Sequence, residues 1–337
     1  MSIIIGLLVG GIVMVVSGYD AIAGYQALWT GIFGDMYSIG NTIRQITPYI
    51  LSGLAVAFAF RTGLFNIGVE GQLLMGWVAA AYVGYAVEGL PRIIHLPLAL
   101  LAAAVAGAIW AFIVGWLKAQ LNVHEVIASI MLNYTALYTT NAFIKKISDG
   151  GFKTPTVLES ATLRMPWLRE ITDNSSLHLG IVVAIIMVIV MWFILEKTTR
   201  GYELKAVGFN KNAAEYAGMN VKRNIMMAMT ISGVFAGLAG AMEALGTYQN
   251  ASIKAAQSGI GFDGIAVALL GANTPLGVLF GASLFGGLKY GALNMPNAAG
   301  IPEEIVSIII ALIIFFVASG YVIRLLISKF KKTKEGN

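Results

Sequence analysis

Long apolar runs separated by short polar breaks dominate the chain, and their lengths predict membrane helices. Ten runs stand out: residues 1–17, 44–61, 70–88, 95–117, 124–143, 178–195, 225–246, 260–272, 276–292 and 303–324. The first is marginal in length, and 260–272 is short and bounded by glycine, which fits a re-entrant segment. The most informative break is Arg61-Thr62-Gly63-Leu64-Phe65-Asn66-Ile67-Gly68-Val69-Glu70-Gly71-Gln72. Lipid satisfies no free backbone donor or acceptor, so non-helical backbone at membrane depth must face protein or a wet cavity. The pattern predicts an all-α polytopic membrane protein of about ten transmembrane helices. One transmembrane domain spans 1–324, with a polar loop at 196–224 and a basic tail at 325–337.

A faint internal echo accompanies the break. Phe65-Asn66-Ile67-Gly68 precedes Leu73-Leu74, and Phe262-Asp263-Gly264-Ile265 precedes Leu269-Leu270. Five spans per half would give two inverted five-helix halves with broken helices in matching places, the arrangement that marks a midplane pathway in transporters. Chance similarity in Gly- and Leu-rich sequence is the competing explanation.

Composition agrees with the pattern. Hydrophobic residues make up 58% and charged residues 12%, about half the ~25% of an ordinary soluble chain. The chain has no cysteine, which excludes disulfides, thiolate metal sites and cysteine nucleophiles. His95, His124 and His178 are widely separated and form no ligand spacing. The net charge of +5 includes the tail cations Lys329 to Lys334, which read as a membrane anchor and not as a nucleic-acid surface. The start, Met-Ser followed at once by apolar residues, lacks the basic region and cleavage site of a signal peptide and reads as a first membrane helix.

Lys and Arg set the expected orientation. Loop 196–224 carries Lys197, Arg200, Lys205, Lys211, Lys222 and Arg223, and the tail is basic, so both are expected in the cytoplasm together with the N-terminus. Loop 18–40, with Asp20 and Asp35 and no Lys or Arg, fits the outside. Segment 144–177 argues against this scheme, because it would be external yet holds Lys145, Lys146, Lys153, Arg164 and Arg169.

Polar residues inside the runs are the candidate chemistry. Glu70 either contacts a solute or braces the fold, by capping a helix start or pairing with Arg61. Asn66 and Gln72 either bond a solute or satisfy freed backbone. Glu243, Asp263 and Asn133 are further pathway candidates, with Asn133 also suited to bonding a neighbouring helix. Phe65, Tyr134 and Tyr138 could stack on a base or simply pack. In the polar loop, Asn210 can cap a short helix that Gly218 ends. That helix carries Ala213, Ala214, Glu215 and Tyr216, and its small-residue face suits docking into a groove on a soluble partner. An ordinary solvated loop is the alternative.

Three ordered motifs carry a family resemblance. Phe65-Asn66-Ile67-Gly68-Val69-Glu70-Gly71-Gln72, the segment from Arg200-Gly201 to Gly218-Met219, and Gly259 to Gly271 resemble bacterial ATP-binding cassette importer permeases of the branched-chain amino acid, ribose and nucleoside group. The first is most similar to the nucleoside (guanosine and uridine) subgroup. The resemblance covers roughly residues 42–325 and implies a multi-pass half-channel of the bacterial plasma membrane. It implies no ATPase in this chain, which has no Gly-x-x-x-x-Gly-Lys-Ser/Thr phosphate loop. ATP and Mg²⁺ would be bound by a separate cytoplasmic ATPase, often one chain with two nucleotide-binding domains. A second, different permease chain and an extracellular substrate-binding lipoprotein complete the implied system. Helix 210–218 would seat in the ATPase and turn its closure into alternating access. Permeation of sugars or branched-chain amino acids, and ion-coupled secondary transport using Glu70, Glu243 and Asp263, are the competing functions. An intramembrane enzyme lacks a nucleophile–base pair or metal cluster in the sequence.

Overall fold

The computed structural model describes residues 2–148 and 150–318. The basic tail and the end of the run 303–324 lie outside the described residues. The helices are α1 (Ser2–Val16), α2 (Ala21–Phe33), α3 (Met36–Arg61), α4 (Val69–Ala86), α5 (Arg92–Leu121), α6 (Glu125–Ile147), α7 (Pro166–Ile171), α8 (Gly180–Lys197), α9 (Thr199–Phe209), α10 (Lys211–Tyr216), α11 (Val221–Met242), α12 (Ile260–Leu270), α13 (Pro275–Ala292), α14 (Met295–Ala299) and α15 (Glu303–Ala318). A π turn, Glu243–Thr247, extends α11. Among the described residues, α3, α5, α8 and α11 with its π turn are long and apolar enough to cross a membrane by length and composition. The all-α polytopic membrane fold expected from the hydrophobic pattern is present.

Two elements differ from expectation. Segment 18–40 holds α2, which starts where the Asp20 carboxylate accepts from the amides of Ile22 and Ala23 at 2.8 and 3.1 Å. Asp35 likewise accepts from Ser38 N at 2.6 Å and starts α3 at Met36, eight residues before the apolar run begins. Both caps were visible as acidic residues, but Gly24, Gln26 and Thr30 dilute the apolar signal of α2. The polar loop 196–224 also contains α9, ahead of the anticipated short helix.

Helices α3 and α11 pack on one another, with Ala55 against Ser232 and Phe58 against Phe235. Each packs on the segments that follow the other: α3 against α12 and α13, α11 against α4 and α5. Close backbone approach makes the contacts possible. The Gly233-x-x-x-Gly237 face of α11 lies against Ala103 and Gly107 of α5, and a Cβ at Gly107 would strike the Gly233 carbonyl and the Gly237 backbone.

Candidate functional site

α3 ends at Arg61 on the face that carries α9 and α10, where Gly63 touches the Gly208 backbone. The chain then turns back inward, so that Asn66 reaches Ser232 in the middle of α11 and, through it, Ala55 of α3. α4 therefore starts within the bundle. α12 does the same from the other side: its first residues touch Glu70, and it runs alongside α3 with Gly264 on Ser52 and Val267 on Gly53. α4 and α12 thus leave one point in opposite directions with their N-termini together.

Glu70 occupies that point and is fully buried. Its Oε1 accepts from Ser258 Oγ at 2.6 Å and Gly259 N at 3.0 Å, and its Oε2 from Gly261 N at 2.7 Å. It lies in the first turn of α4 as well, so one carboxylate faces the positive ends of two helices. Of the bracing roles expected for Glu70, the geometry contains a helix cap, but the cap is on α12. Arg61 instead pairs with Glu196 at 3.1 Å, and Glu196 also holds Lys205 at 2.9 Å. Gly261 permits the approach, because a Cβ there would overlap the Glu70 backbone.

The rest of the break is closed by its own polar residues. Asn66 donates to Gln72 Oε1 (2.9 Å) and to Ser232 Oγ (2.8 Å), and accepts from Gly68 N (2.9 Å). Asn133 of α6 accepts from Gly71 N at 2.9 Å and donates to the Ile67 carbonyl at 3.0 Å. Asn66, Gln72 and Asn133 are buried, and the bonds of Asn66 to Gly68 N and of Asn133 to Gly71 N and the Ile67 carbonyl serve backbone groups that the missing helical turn leaves free. Phe65 is half-buried and stacks on Phe60 with ring centres 5.0 Å apart. Tyr134 and Tyr138 lie exposed on the outer face of α6.

Two further groups lie towards the opposite face. Glu243 is buried in the π turn and accepts from Thr247 Oγ1 at 3.2 Å. Below it, Lys254 lies over the stacked rings of Trp77 and Tyr248, 4.4 and 5.0 Å from their centres. Asp263 of α12 accepts from the Tyr49 hydroxyl at 3.2 Å and pairs with Lys289 of α13 at 3.4 Å. Tyr49 and Lys289 line a polar cavity of about 330 Å³ between α3, α13 and α15. Sequence reasoning passed over Lys289 because it stands alone at a helix end, and over Tyr49 because it sits in an apolar run. The structure joins Asp263 to both but does not bring it to Glu70 or Glu243 in one cluster.

Arg164 of segment 144–177 has structural partners, and so does Arg92 at the start of α5. Arg164 donates through Nε to the Gly246 carbonyl at 2.7 Å and through a second nitrogen to the Thr247 carbonyl, at the carbonyl end of the π turn. Arg92 donates to the carbonyls of Thr162 and Arg164.

On the other face, Asn210 Oδ1 caps α10 by accepting from Ala213 N at 3.1 Å, and Gly218 follows in the left-handed conformation at φ +80°. Ala213, Glu215 and Tyr216 point outward, with Tyr216 94% exposed, whereas Ala214 is buried against the protein. Beside α10, Phe60, Arg61, Glu196, Tyr202, Lys205 and Phe209 surround an open cavity of about 570 Å³.

Half-helices that start within the bundle and meet at a buried carboxylate fit a polytopic membrane protein of transporter type. Residues 38–318 match the family model described as branched-chain amino acid transport system / permease component, and the chain belongs to that family. It is 62% identical to the guanosine ABC transporter permease protein NupP of Bacillus subtilis, over 98% of this chain and 95% of that protein. It is 41% identical to the nucleoside ABC transporter permease protein NupB of Lactococcus lactis, over 99% of this chain and 93% of that protein. It is also 33% identical to the glucose ABC transporter permease protein TsgB13 of Haloferax volcanii, over 95% of this chain and 86% of that protein.

Proposed function

We propose that this chain is the permease subunit of an ATP-driven nucleoside importer and forms one half of its membrane path. The observation that carries the reading is the 62% identity to a guanosine permease along nearly the whole of both chains. The 33% identity to a glucose permease supports a sugar path less strongly, since the identity to the two nucleoside permeases is higher over a similar span. In this reading ATP and Mg²⁺ are bound by a separate cytoplasmic ATPase. A second, different permease chain forms the other half of the path, and an extracellular binding lipoprotein delivers the solute.

The α9–α10 face is the cytoplasmic face in this proposal, and both termini lie on that side. The cations of loop 196–224 support this orientation. Of the cations that argued against it, Arg164 is engaged with backbone carbonyls and so has a structural reason to be where it is. Asn210, Ala213, Glu215, Tyr216 and Gly218 form the contact with the ATPase, supported by the exposure of Ala213, Glu215 and Tyr216. Ala214 acts from behind, seating α10 on the permease. Glu243 and Asp263 belong to the path, whereas Phe65, Asn66, Glu70, Gln72 and Asn133 shape it by holding the broken helices.

The test is uptake of radiolabelled guanosine and uridine in cells carrying the complete transporter, with and without this chain, and with the catalytic Glu of the ATPase replaced. Loss of uptake in both altered strains is the expected result. Uptake that survives the inactive ATPase would replace this reading with ion-coupled transport. Unchanged nucleoside uptake without the chain would move the substrate to sugars or amino acids.

A further inference from the structure

The polar cavity between α3, α13 and α15 differs in chemistry from a second cavity of similar size. That one, between α4, α5 and α6, is about 300 Å³ and is lined by Met75, Val78, Tyr82 and Phe143 among other apolar groups. It suits an acyl chain. The cavity of about 330 Å³ presents Gln45, Tyr49, Lys289, Glu304 and Ser307. Charged groups in a membrane segment face protein or a wet cavity, because lipid offers them nothing. The volume lies at the lower end of the ~300–1,000 Å³ typical of small-molecule sites.

The donor and acceptor types define what fits. The Lys289 ammonium gives one contact to Asp263 and keeps two N–H groups. Tyr49 donates to Asp263, and its oxygen can also accept. Gln45 and Ser307 can each donate and accept, and Glu304 accepts. A hydroxylated neutral solute, with groups that do both, satisfies such a mixture. The charges of Lys289, Asp263 and Glu304 sum to one negative charge, so a phosphorylated solute meets repulsion that its neutral form does not. The pair is also not sealed: the Lys289 and Asp263 side chains are 36% and 27% exposed, unlike Glu70 at 0%.

Building on the nucleoside reading above, we propose that this cavity is a solute-binding station of the path. Tyr49 and Lys289, both positioned by Asp263, bind the sugar hydroxyls of a nucleoside, and the acidic balance of the cavity excludes nucleotides.

The lack of cysteine allows a direct test in the assembled transporter. A Ser307→Cys chain is exposed to a charged thiol reagent with guanosine, with guanosine monophosphate, or with neither. Guanosine slows modification, the monophosphate does not, and a Glu88→Cys control on an exposed loop is affected by neither. In parallel, Lys289→Gln raises the KM for guanosine uptake about tenfold or more, as expected for losing a hydrogen bond to a charged group. Lys289→Gln/Asp263→Asn leaves KM as high, whereas a merely structural ion pair predicts recovery once both charges are gone. Unslowed modification at guanosine concentrations that saturate uptake, or a wild-type KM in the double variant, overturns the station. Equal protection by the monophosphate overturns the charge exclusion. Unchanged nucleoside uptake without the wild-type chain overturns the transport reading itself, which separates the two failures.

Discussion

Replacing Glu70 with Gln alters one oxygen and nothing of the shape. Three donors converge on the carboxylate, two on Oε1 and one on Oε2. A Gln side chain has a single acceptor oxygen, so its NH₂ must face either Gly261 N–H or the Ser258–Gly259 pair. One buried N–H left unpaired costs about 1–3 kcal/mol. Loss of the negative charge at two helix N-termini adds about 0.3–1 kcal/mol for each. The sum is about 1.6–5 kcal/mol. At roughly 2 °C per kcal/mol for a large chain, Tm should fall by about 3–10 °C. The chain has six tryptophans, so their fluorescence in detergent reports unfolding without a label. Ser258→Ala leaves both backbone donors in place and should cost about 1 kcal/mol. The two changes should be non-additive, because both act on the same carboxylate. Uptake by Glu70→Gln should fall with the fold's stability. A Tm within about 1 °C of wild type, with normal uptake and expression, would refute the claim that Glu70 joins the two half-helices.

Asn66→Ala removes the bonds to Gln72, Ser232 and Gly68 at once and should lower stability by about 2–4 kcal/mol, measured by the same unfolding assay. Arg164→Ala should cost about 1.5–3 kcal/mol by freeing the Gly246 and Thr247 carbonyls, while Arg61→Ala, from a pair 34% and 39% exposed, should cost under about 1 kcal/mol. Gly218→Pro, or charge reversal at Lys211 and Glu215, should abolish uptake while membrane level and detergent Tm stay unchanged. Normal uptake in those variants would remove α10 from the ATPase contact.

The ten runs were legible because lipid enforces uninterrupted apolar helices, and each has a helix at its position. α2 was not, because a helix covered by neighbours on one face needs no continuous apolar run. Its Gly24 and Gly31 pack against Met14, Ile301 and Gly291 instead. The break at 61–72 was legible as a break, and its polar residues were read as bonding either a solute or freed backbone groups. Their partners were not legible: Ser232 is 166 positions from Asn66, and Gly261 is 191 from Glu70. Arg61 looked like a mate for Glu70 at nine positions' distance, yet the reversal of the chain at Gly63 takes the two to different depths. Lys289 escaped notice for the same reason, since its meaning lies in Asp263 on another helix.

Polar residues inside this membrane domain fall into two physical kinds, and the sequence does not separate them. Asn66, Glu70, Gln72 and Asn133 are buried, and their bonds go to other protein groups; any solute would have to break those bonds first. Tyr49, Lys289 and Gln45 keep capacity towards an open space. A permease needs both. Half-helices that start inside the bundle leave amides free, and those amides need an acceptor where water is absent. A carboxylate at the meeting point supplies it for α12 and faces the start of α4 as well. The same bonds tie the start of α12 to the start of α4, so motion of α12 against α4 has to turn about Glu70 or break them. Weakening the junction and weakening the cavity should therefore fail differently: Glu70→Gln through stability and turnover, Lys289→Gln through KM at unchanged stability.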